Sequence, residues 1–244
     1  MKRLAYGPIP PSRNRAECMP NQTSDEVKWQ DFFMAENSVI KGGYQNTAHK
    51  PLLALLQYME KVWGRNEMNL YAVNAGANDG VRGDPTQHLY AHMNYKGVAI
   101  EPRLQTFEQL KSNYRGYERV KCLHSGVTPG NVEGLLRKHG APLNMDIFKI
   151  DIDHDDILIV QALLSSEYRP KAIVMEFNEK IPPPIFFSMN YARQWPWAGD
   201  HCYGVSLAYA AHILGEFGYR PVIVDGNNMV FVDANAKCQA FRNI

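Results

Sequence analysis

"FKIDIDHDD", Phe148 to Asp156, places Asp151, Asp153, Asp155 and Asp156 within six residues at the end of an apolar run. A second apolar run ends in "VMEFNEK", with Glu176 and Asn178 at alternate positions. In a strand, alternate residues share a face, so Asp151 pairs with Asp153 and Glu176 with Asn178. If the two runs are adjacent parallel strands, these oxygens converge. Such a donor set suits a hard divalent cation, Mg, Mn or Ca, rather than zinc. Asp151, Asp153, Glu176 and Asn178 are therefore the expected metal ligands. Asp155 and Asp156 are read instead as first-turn acids that complement the N-terminal dipole of the next helix. An imidazole titrating near neutrality can take a proton from a hydroxyl held on a metal. This makes His154 and Asp151 the expected catalytic pair.

"VNAGANDG", Val73 to Gly80, ends another apolar run in turn-forming residues. Gly76 and Gly80 permit positive φ and close backbone approach, while Asn78 and Asp79 can cap the turn or hydrogen-bond a ligand. About 20 residues further on, "GVAIEP" ends in Glu101, a spacing at which a carboxylate accepts both hydroxyls of a ribose. Loop and acid together point to a nucleoside.

The elements that must position these groups begin with "TSDE", which has capping-box spacing before "VKWQDFFMAE". "HKPLLALLQYMEKVWG" then puts Leu52, Leu56, Met59 and Trp63 on one helical stripe, with Gly64 as its stop. From Asn69 onward seven β-rich runs ("LYAVNAG", "KGVAIEP", "VKCLHSGV", "DIFKIDID", "AIVMEFN", "RPVIVDG", "NMVFVDA") alternate with helical stretches. This predicts an α/β fold with a mostly parallel sheet covered on both faces, and a site beyond the carboxyl ends of the strands. Residues 1–22 read as a loose tail, 23–66 as a small helical cap and 67–244 as the main domain. The long segment "KIPPPIFFSMNYARQWPWAGDHCYG" reads as a lid or substrate wall on the same edge. In it Tyr191, Trp195 and Trp197 are placed to stack on a substrate, and His201 is a second candidate base or ligand. His88, His92, His139 and His212 are assigned to surface or core packing.

The succession "VNAGANDG", "AIEP" and "FKIDIDH" resembles the FkbM-type branch of class I S-adenosylmethionine-dependent methyltransferases. That pattern runs V-D-x-G-A-N-x-G, then E-P, then K-x-D-x-E-G, and the resemblance covers Asn69 to Asn178. It implies a Rossmann-like class I methyltransferase fold and S-adenosylmethionine as cofactor. By the resemblance Asn74, Gly76, Asn78 and Gly80 would hold the methionine end and Glu101 the ribose, with Ser125, in "HSGV", beside the adenine. The family's first acid is Asn74 here, a neutral amide that can still meet the cofactor's ammonium. Its final E-G is Asp153–His154. The acid cluster is also similar to that of magnesium-dependent catechol-type O-methyltransferases, where a base follows the first acid by three residues, as His154 follows Asp151. The resemblance implies O-methylation of a small polar molecule.

Composition narrows the field further. Lys plus Arg number 26 and Asp plus Glu 25, a net charge of +1, so no nucleic-acid partner is expected. The four cysteines are scattered without C-x-x-C spacing, which excludes a zinc ribbon or a dense disulfide framework. No secretory signal or membrane-length run is seen, so the default expectation is a cytoplasmic protein without membrane contact. Two alternatives stand beside methyl transfer: a methyltransferase-fold binding protein without catalysis, and a metal-dependent hydrolase, lyase or oxidase that uses no methyl donor.

Overall fold

All seven β-rich runs form strands of one sheet in the computed structural model, which describes residues 52–53, 55–57, 59–60, 64–153, 156–189 and 203–234. The expected tail at 1–22, the helix expected after Thr23, and Tyr191, Trp195, Trp197 and His201 lie outside the described residues. The strands are β1 (Tyr71–Ala75), β2 (Lys96–Glu101), β3 (Val120–His124), β4 (Ile147–Ile150), β5 (Ala172–Glu176), β6 (Tyr219–Asp225) and β7 (Asn228–Asp233). Their order is β3-β2-β1-β4-β5-β7-β6. Pairing is parallel from β3 to β5, and β7 runs antiparallel to both β5 and β6. A two-residue turn with Gly226 at φ 60 reverses the chain from β6 to β7. Among the five parallel strands the order reverses between β1 and β4, which is where a crevice opens in such sheets.

Alternation along each strand assigns side chains to two covered faces. On one face Val73, Val98, Phe148, Ile150 and Met175 pack with Ile157, Val160 and Leu164 of α5 (Asp156–Ser165) and Leu214 of α6 (Leu207–Glu216). α4 (Val132–Lys138) adds Val132 and Leu136 to that layer. On the other face Ala72, Ala99, Ile147 and Val174 meet Leu89 and Tyr90 of α2 (Gln87–His92) and Leu110 of α3 (Leu104–Asn113). Leu52, Leu55, Leu56 and Met59, from the helical residues within 52–60 (α1), complete it. The expected stripe is thus buried at its described positions, Leu52, Leu56 and Met59, and Gly64, with φ 85, donates its N–H to the Glu60 carbonyl. Burial of such aliphatic side chains contributes about 1.5–3 kcal/mol each and fixes the register of every strand end. No helix among the described residues is long and apolar enough to cross a membrane.

Residues 72, 74, 99, 101, 147, 149, 174 and 176 alternate onto the second face, so Asn74, Glu101, Lys149 and Glu176 leave their strands on the same side. Polar groups on an otherwise apolar face at the carboxyl edge of such a sheet stand where ligands bind.

Candidate functional site

The loop after β1 is held by backbone bonds to its neighbours. The N–H groups of Gly76 and Ala77 both donate to the Ile100 carbonyl, at 3.0 and 2.9 Å. The Asp151 N–H donates to the Ala75 carbonyl at 3.0 Å. Gly76 has φ 78, and a Cβ there would lie 1.8 Å from the Asp151 carbonyl oxygen. Only glycine fits. Gly76→Ala is therefore expected to cost at least about 3 kcal/mol, roughly a 10 °C fall in melting temperature for a chain of this size. Wild-type melting of that variant would contradict so close an approach of the two strand ends.

Glu101, 2% exposed, closes the loop from the β2 side. Its Oε2 accepts the Asn78 N–H at 3.0 Å, and its Oε1 accepts the N–H and Nε–H of Arg103 at 3.0 and 3.1 Å. Asn78 takes a left-handed conformation, φ 50, to present that N–H. Beside the loop opens a cleft of about 180 Å³ lined by Gly76, Ile100, Pro102, Ser125, Gly126, Val127 and Ile152. Ser125 reaches it because β3 pairs with β2 in register, His124 opposite Glu101, and the Ser125 N–H donates to the Glu101 carbonyl at 3.3 Å.

Across the switch point lies the acid cluster. One carboxylate oxygen each from Asp151, Asp153 and Glu176 lie within 4.8 Å of one another. They meet because β4 and β5 are parallel neighbours, with Ile150 opposite Met175. Burial, then the charges of Asp151 and Asp153, push the Glu176 carboxyl up to about 8; the amide of Asn227, which donates to it, opposes this. Behind the cluster Asp156 is 2% exposed, and its Oδ1 has no hydrogen-bond partner among the described residues. Burial, then Asp151 and Glu176, hold its carboxyl well above the usual range.

Lys149 joins the two halves. It is 4% exposed; its ammonium donates to the Gly76 carbonyl at 3.0 Å and lies 3.4 Å from Asp151 Oδ2. Burial pulls its pKa down, but the carboxylates of Asp151 and Asp84 outweigh that and leave it raised. One enclosed cation thus touches both the glycine loop and the acid cluster.

No family model matches the sequence, and no curated protein matches it. Solved structures do. The chain is similar to magnesium protoporphyrin IX methyltransferase from Synechocystis with bound SAH, with a TM-score of 0.50 at 10% identity over 86% of this chain and 94% of that one. It is also similar to monomeric WbdD, with a TM-score of 0.50 at 12% identity over 85% of this chain and 44% of that one. With the strand order above, these likenesses decide the architecture. The chain has the class I methyltransferase fold.

Within the class I methyltransferase fold several sequence expectations change place. Asn74 is fully enclosed, and its Nδ2 donates to Asp84 and Thr86. Gly80, expected to approach a ligand, is small for another reason: a Cβ there would lie 2.5 Å from Leu110 and 2.6 Å from Tyr114, so α3 requires it. Asp79 is spent on the turn, with Oδ1 accepting the Val81 and Arg82 N–H groups. Asn178, expected as a metal ligand, is fully buried; its oxygen accepts the Lys180 N–H and its nitrogen donates to the Tyr203 carbonyl. That amide anchors the start of the β5–α6 connection. Asp153 does not follow Asp151 along a strand face, since β4 ends at Ile150 and Asp153 takes φ 61; the bend brings the two together. His154 lies outside the described residues.

Lys149 and Asp156 are the site residues that the sequence reading passed over. A lysine inside the apolar run "IFKI" was the available signal for the first. The second was read as a first-turn acid that complements the helix dipole; it does stand in the first turn of α5, but enclosed.

Proposed function

We propose that this protein is an S-adenosylmethionine-dependent methyltransferase acting on a hydroxyl of a small polar molecule, with a divalent cation (Mg, Mn or Ca) held by Asp151, Asp153 and Glu176. The observation that carries the reading is the meeting, at one switch point of a class I methyltransferase sheet, of a glycine loop with its cleft and a three-carboxylate cluster. The "VNAGANDG", "AIEP" and "FKIDIDH" motifs support it through their FkbM-type resemblance.

The residues present fit the cofactor. The cleft between Ile100, Val127 and Ile152 offers apolar walls to a flat base, with Ser125 at its rim. Glu101 lies beside it; each carboxylate oxygen has two lone pairs, so Oε2 retains capacity for a ribose hydroxyl beyond the Asn78 N–H. Asn74 Oδ1 is a buried acceptor without a donor among the described residues, at the end of β1 where the ammonium of a methionine moiety would lie. The donor set also fits a cation: three carboxylate oxygens converge, and burial together with the charges of Asp151 and Asp153 raises the Glu176 carboxyl, whose ionised form a hard ion would stabilise.

S-adenosylmethionine supplies an activated methyl group, and a divalent ion supplies positive charge that lowers the pKa of a hydroxyl bound to it. The chain's own residues align and shield. Gly76 and Glu101 hold the donor side of the crevice, while Asp151, Asp153 and Glu176 fix the acceptor side, so alignment of the reacting atoms comes from the scaffold. His154, next to Asp153 in the chain, is the proposed base for the acceptor's proton. Trp195, Trp197 and His201 are the proposed substrate contacts of the connection between β5 and α6. Small polar acceptors fit the near-neutral net charge, which gives no electrostatic footprint for nucleic acid.

The test is to incubate the protein with S-adenosylmethionine and a panel of hydroxylated small molecules, with Mg²⁺ or with EDTA. S-adenosylhomocysteine formed in step with a methyl ether, and lost in EDTA, is the expected result. Cofactor binding with no product on any acceptor would favour a binding protein. Metal-dependent consumption that ignores S-adenosylmethionine would favour hydrolysis, lyase or oxidation chemistry.

The cation also has a stability signature. With Glu176 raised to about 8 from 4.5, the folded chain keeps a proton that the unfolded chain has released anywhere between those values. Stability of the metal-free protein therefore falls as pH rises through that window, by up to about 1.4 kcal/mol per unit. Millimolar Mg²⁺ is expected to raise the melting temperature strongly at pH 8 and little at pH 5, because protons compete for the ligand oxygens. Equal shifts at both pH values, or none, would count against a cation at this cluster.

A further inference from the structure

The two ends of the Asn74 amide are treated differently. Nδ2 donates to Asp84 Oδ2 at 2.6 Å and to Thr86 Oγ1 at 3.0 Å, which uses both of its hydrogens. Oδ1 is enclosed and accepts no hydrogen bond from the described residues. Burial raises the pKa of the Asp84 carboxyl, while the Lys149 ammonium and the Thr86 and Asn74 hydrogen bonds oppose that; with Asp84 ionised, the chemistry of the partners excludes the flipped amide. The hydroxyl hydrogen of Thr86 is committed to Asp84 Oδ1 at 2.7 Å, and the Thr86 N–H donates to the same oxygen at 2.8 Å. Thr86 Oγ1 can therefore only accept from Asn74, and a carbonyl oxygen facing Asp84 at 2.6 Å would set acceptor against acceptor. Asn74 pairs in register with Lys149, whose ammonium holds the neighbouring Gly76 carbonyl.

We propose that Asp84 and Thr86 are positioning residues that lock Asn74 with its carbonyl oxygen toward the ammonium of the cofactor's amino-acid end. The carboxylate of Asp84, one hydrogen bond further back, supplies the negative charge that residue 74 itself lacks. This deepens the cofactor reading above and rests on it. A carboxylate behind the amide polarises it and strengthens its oxygen as an acceptor. An aspartate at 74 would face Asp84 across 2.6 Å, so the charge belongs at one of the two places and not both.

Calorimetry with two probes tests this. S-adenosylmethionine carries the amino-acid end, whereas 5′-methylthioadenosine carries only the nucleoside end. Asp84→Asn is expected to weaken S-adenosylmethionine roughly tenfold and leave 5′-methylthioadenosine unchanged. Asn74→Asp alone is expected to weaken it as well. The exchange variant, Asn74→Asp with Asp84→Asn, is expected to recover S-adenosylmethionine affinity to within about threefold, because it restores one carboxylate and one amide. A purely structural role would weaken both probes together, and that result overturns the proposal; so does an Asp84→Asn variant that binds S-adenosylmethionine like wild type. If Asp84→Asn does not fold, the exchange variant decides alone: wild-type preference for S-adenosylmethionine over 5′-methylthioadenosine supports the proposal and loss of that preference overturns it. Wild type binding neither probe removes the cofactor reading itself.

Discussion

Asp151→Ala is expected to abolish turnover while leaving S-adenosylmethionine affinity within about threefold of wild type. Its side chain, about one third exposed, turns to Glu176 and Asp153, whereas its contacts with the glycine loop are made by the main chain. An alanine keeps the Asp151 N–H bond to the Ala75 carbonyl and the backbone approach to Gly76. Lys149 loses one carboxylate but retains the Gly76 carbonyl and the field of Asp84. What disappears is an oxygen of the proposed cation site. A correctly held cation is worth several kcal/mol in the transition state. At about 1.4 kcal/mol per factor of ten, kcat falls by roughly a thousandfold or more. Single-turnover rates with saturating cofactor, alongside a calorimetric titration, separate the two effects.

Glu101→Ala is expected to do the reverse at the binding step. The variant loses roughly a hundredfold in affinity for S-adenosylmethionine. One hydroxyl bond to the charged carboxylate, worth up to about 3 kcal/mol, accounts for that factor. The loss extends to 5′-methylthioadenosine, since both ligands carry the ribose. Glu101 also receives the Asn78 N–H, so the loop becomes less stable and the melting temperature falls as well. Glu101→Gln keeps the shape and one oxygen acceptor, and is expected to lie between alanine and wild type. Equal loss of cofactor affinity in Glu101→Ala and Asp151→Ala would contradict the proposed division into a donor half and an acceptor half.

These two residues show what a sequence discloses about such a site. Glu101 and Asp151 end strands whose apolar alternation is legible, so their place at the carboxyl edge follows from period and order alone. The seven strands and the mostly parallel sheet were legible for the same reason. Gly76 was legible as a tight approach, although what approaches it is the Asp151 backbone. Gly80 carries the same local signature and serves α3, because a positive φ says nothing about which neighbour requires it.

Long-range partners were the illegible part. Asn74 alone reads as a lost acid; its meaning depends on Asp84 and Thr86 returning to it after a ten-residue loop. Asp156 reads the same whether its first-turn carboxylate meets solvent or is enclosed behind Asp151 and Glu176. Asn178 stands in register for the cluster, yet the turn to Lys180 and the Tyr203 carbonyl take both ends of its amide. Asp153 reaches the cluster through a left-handed bend rather than through strand alternation. In each case the residue type was informative and the competing backbone partner was not visible in sequence.

The outcomes expected of Glu101→Ala and Asp151→Ala depend on the proposed binding of S-adenosylmethionine in the crevice between β1 and β4. Isothermal titration of the 244-residue wild-type chain with that ligand tests it most directly. One-to-one binding with a dissociation constant of roughly micromolar to submillimolar magnitude is the predicted result. No binding heat at millimolar ligand, at two temperatures and with Mg²⁺ present or absent, would contradict it.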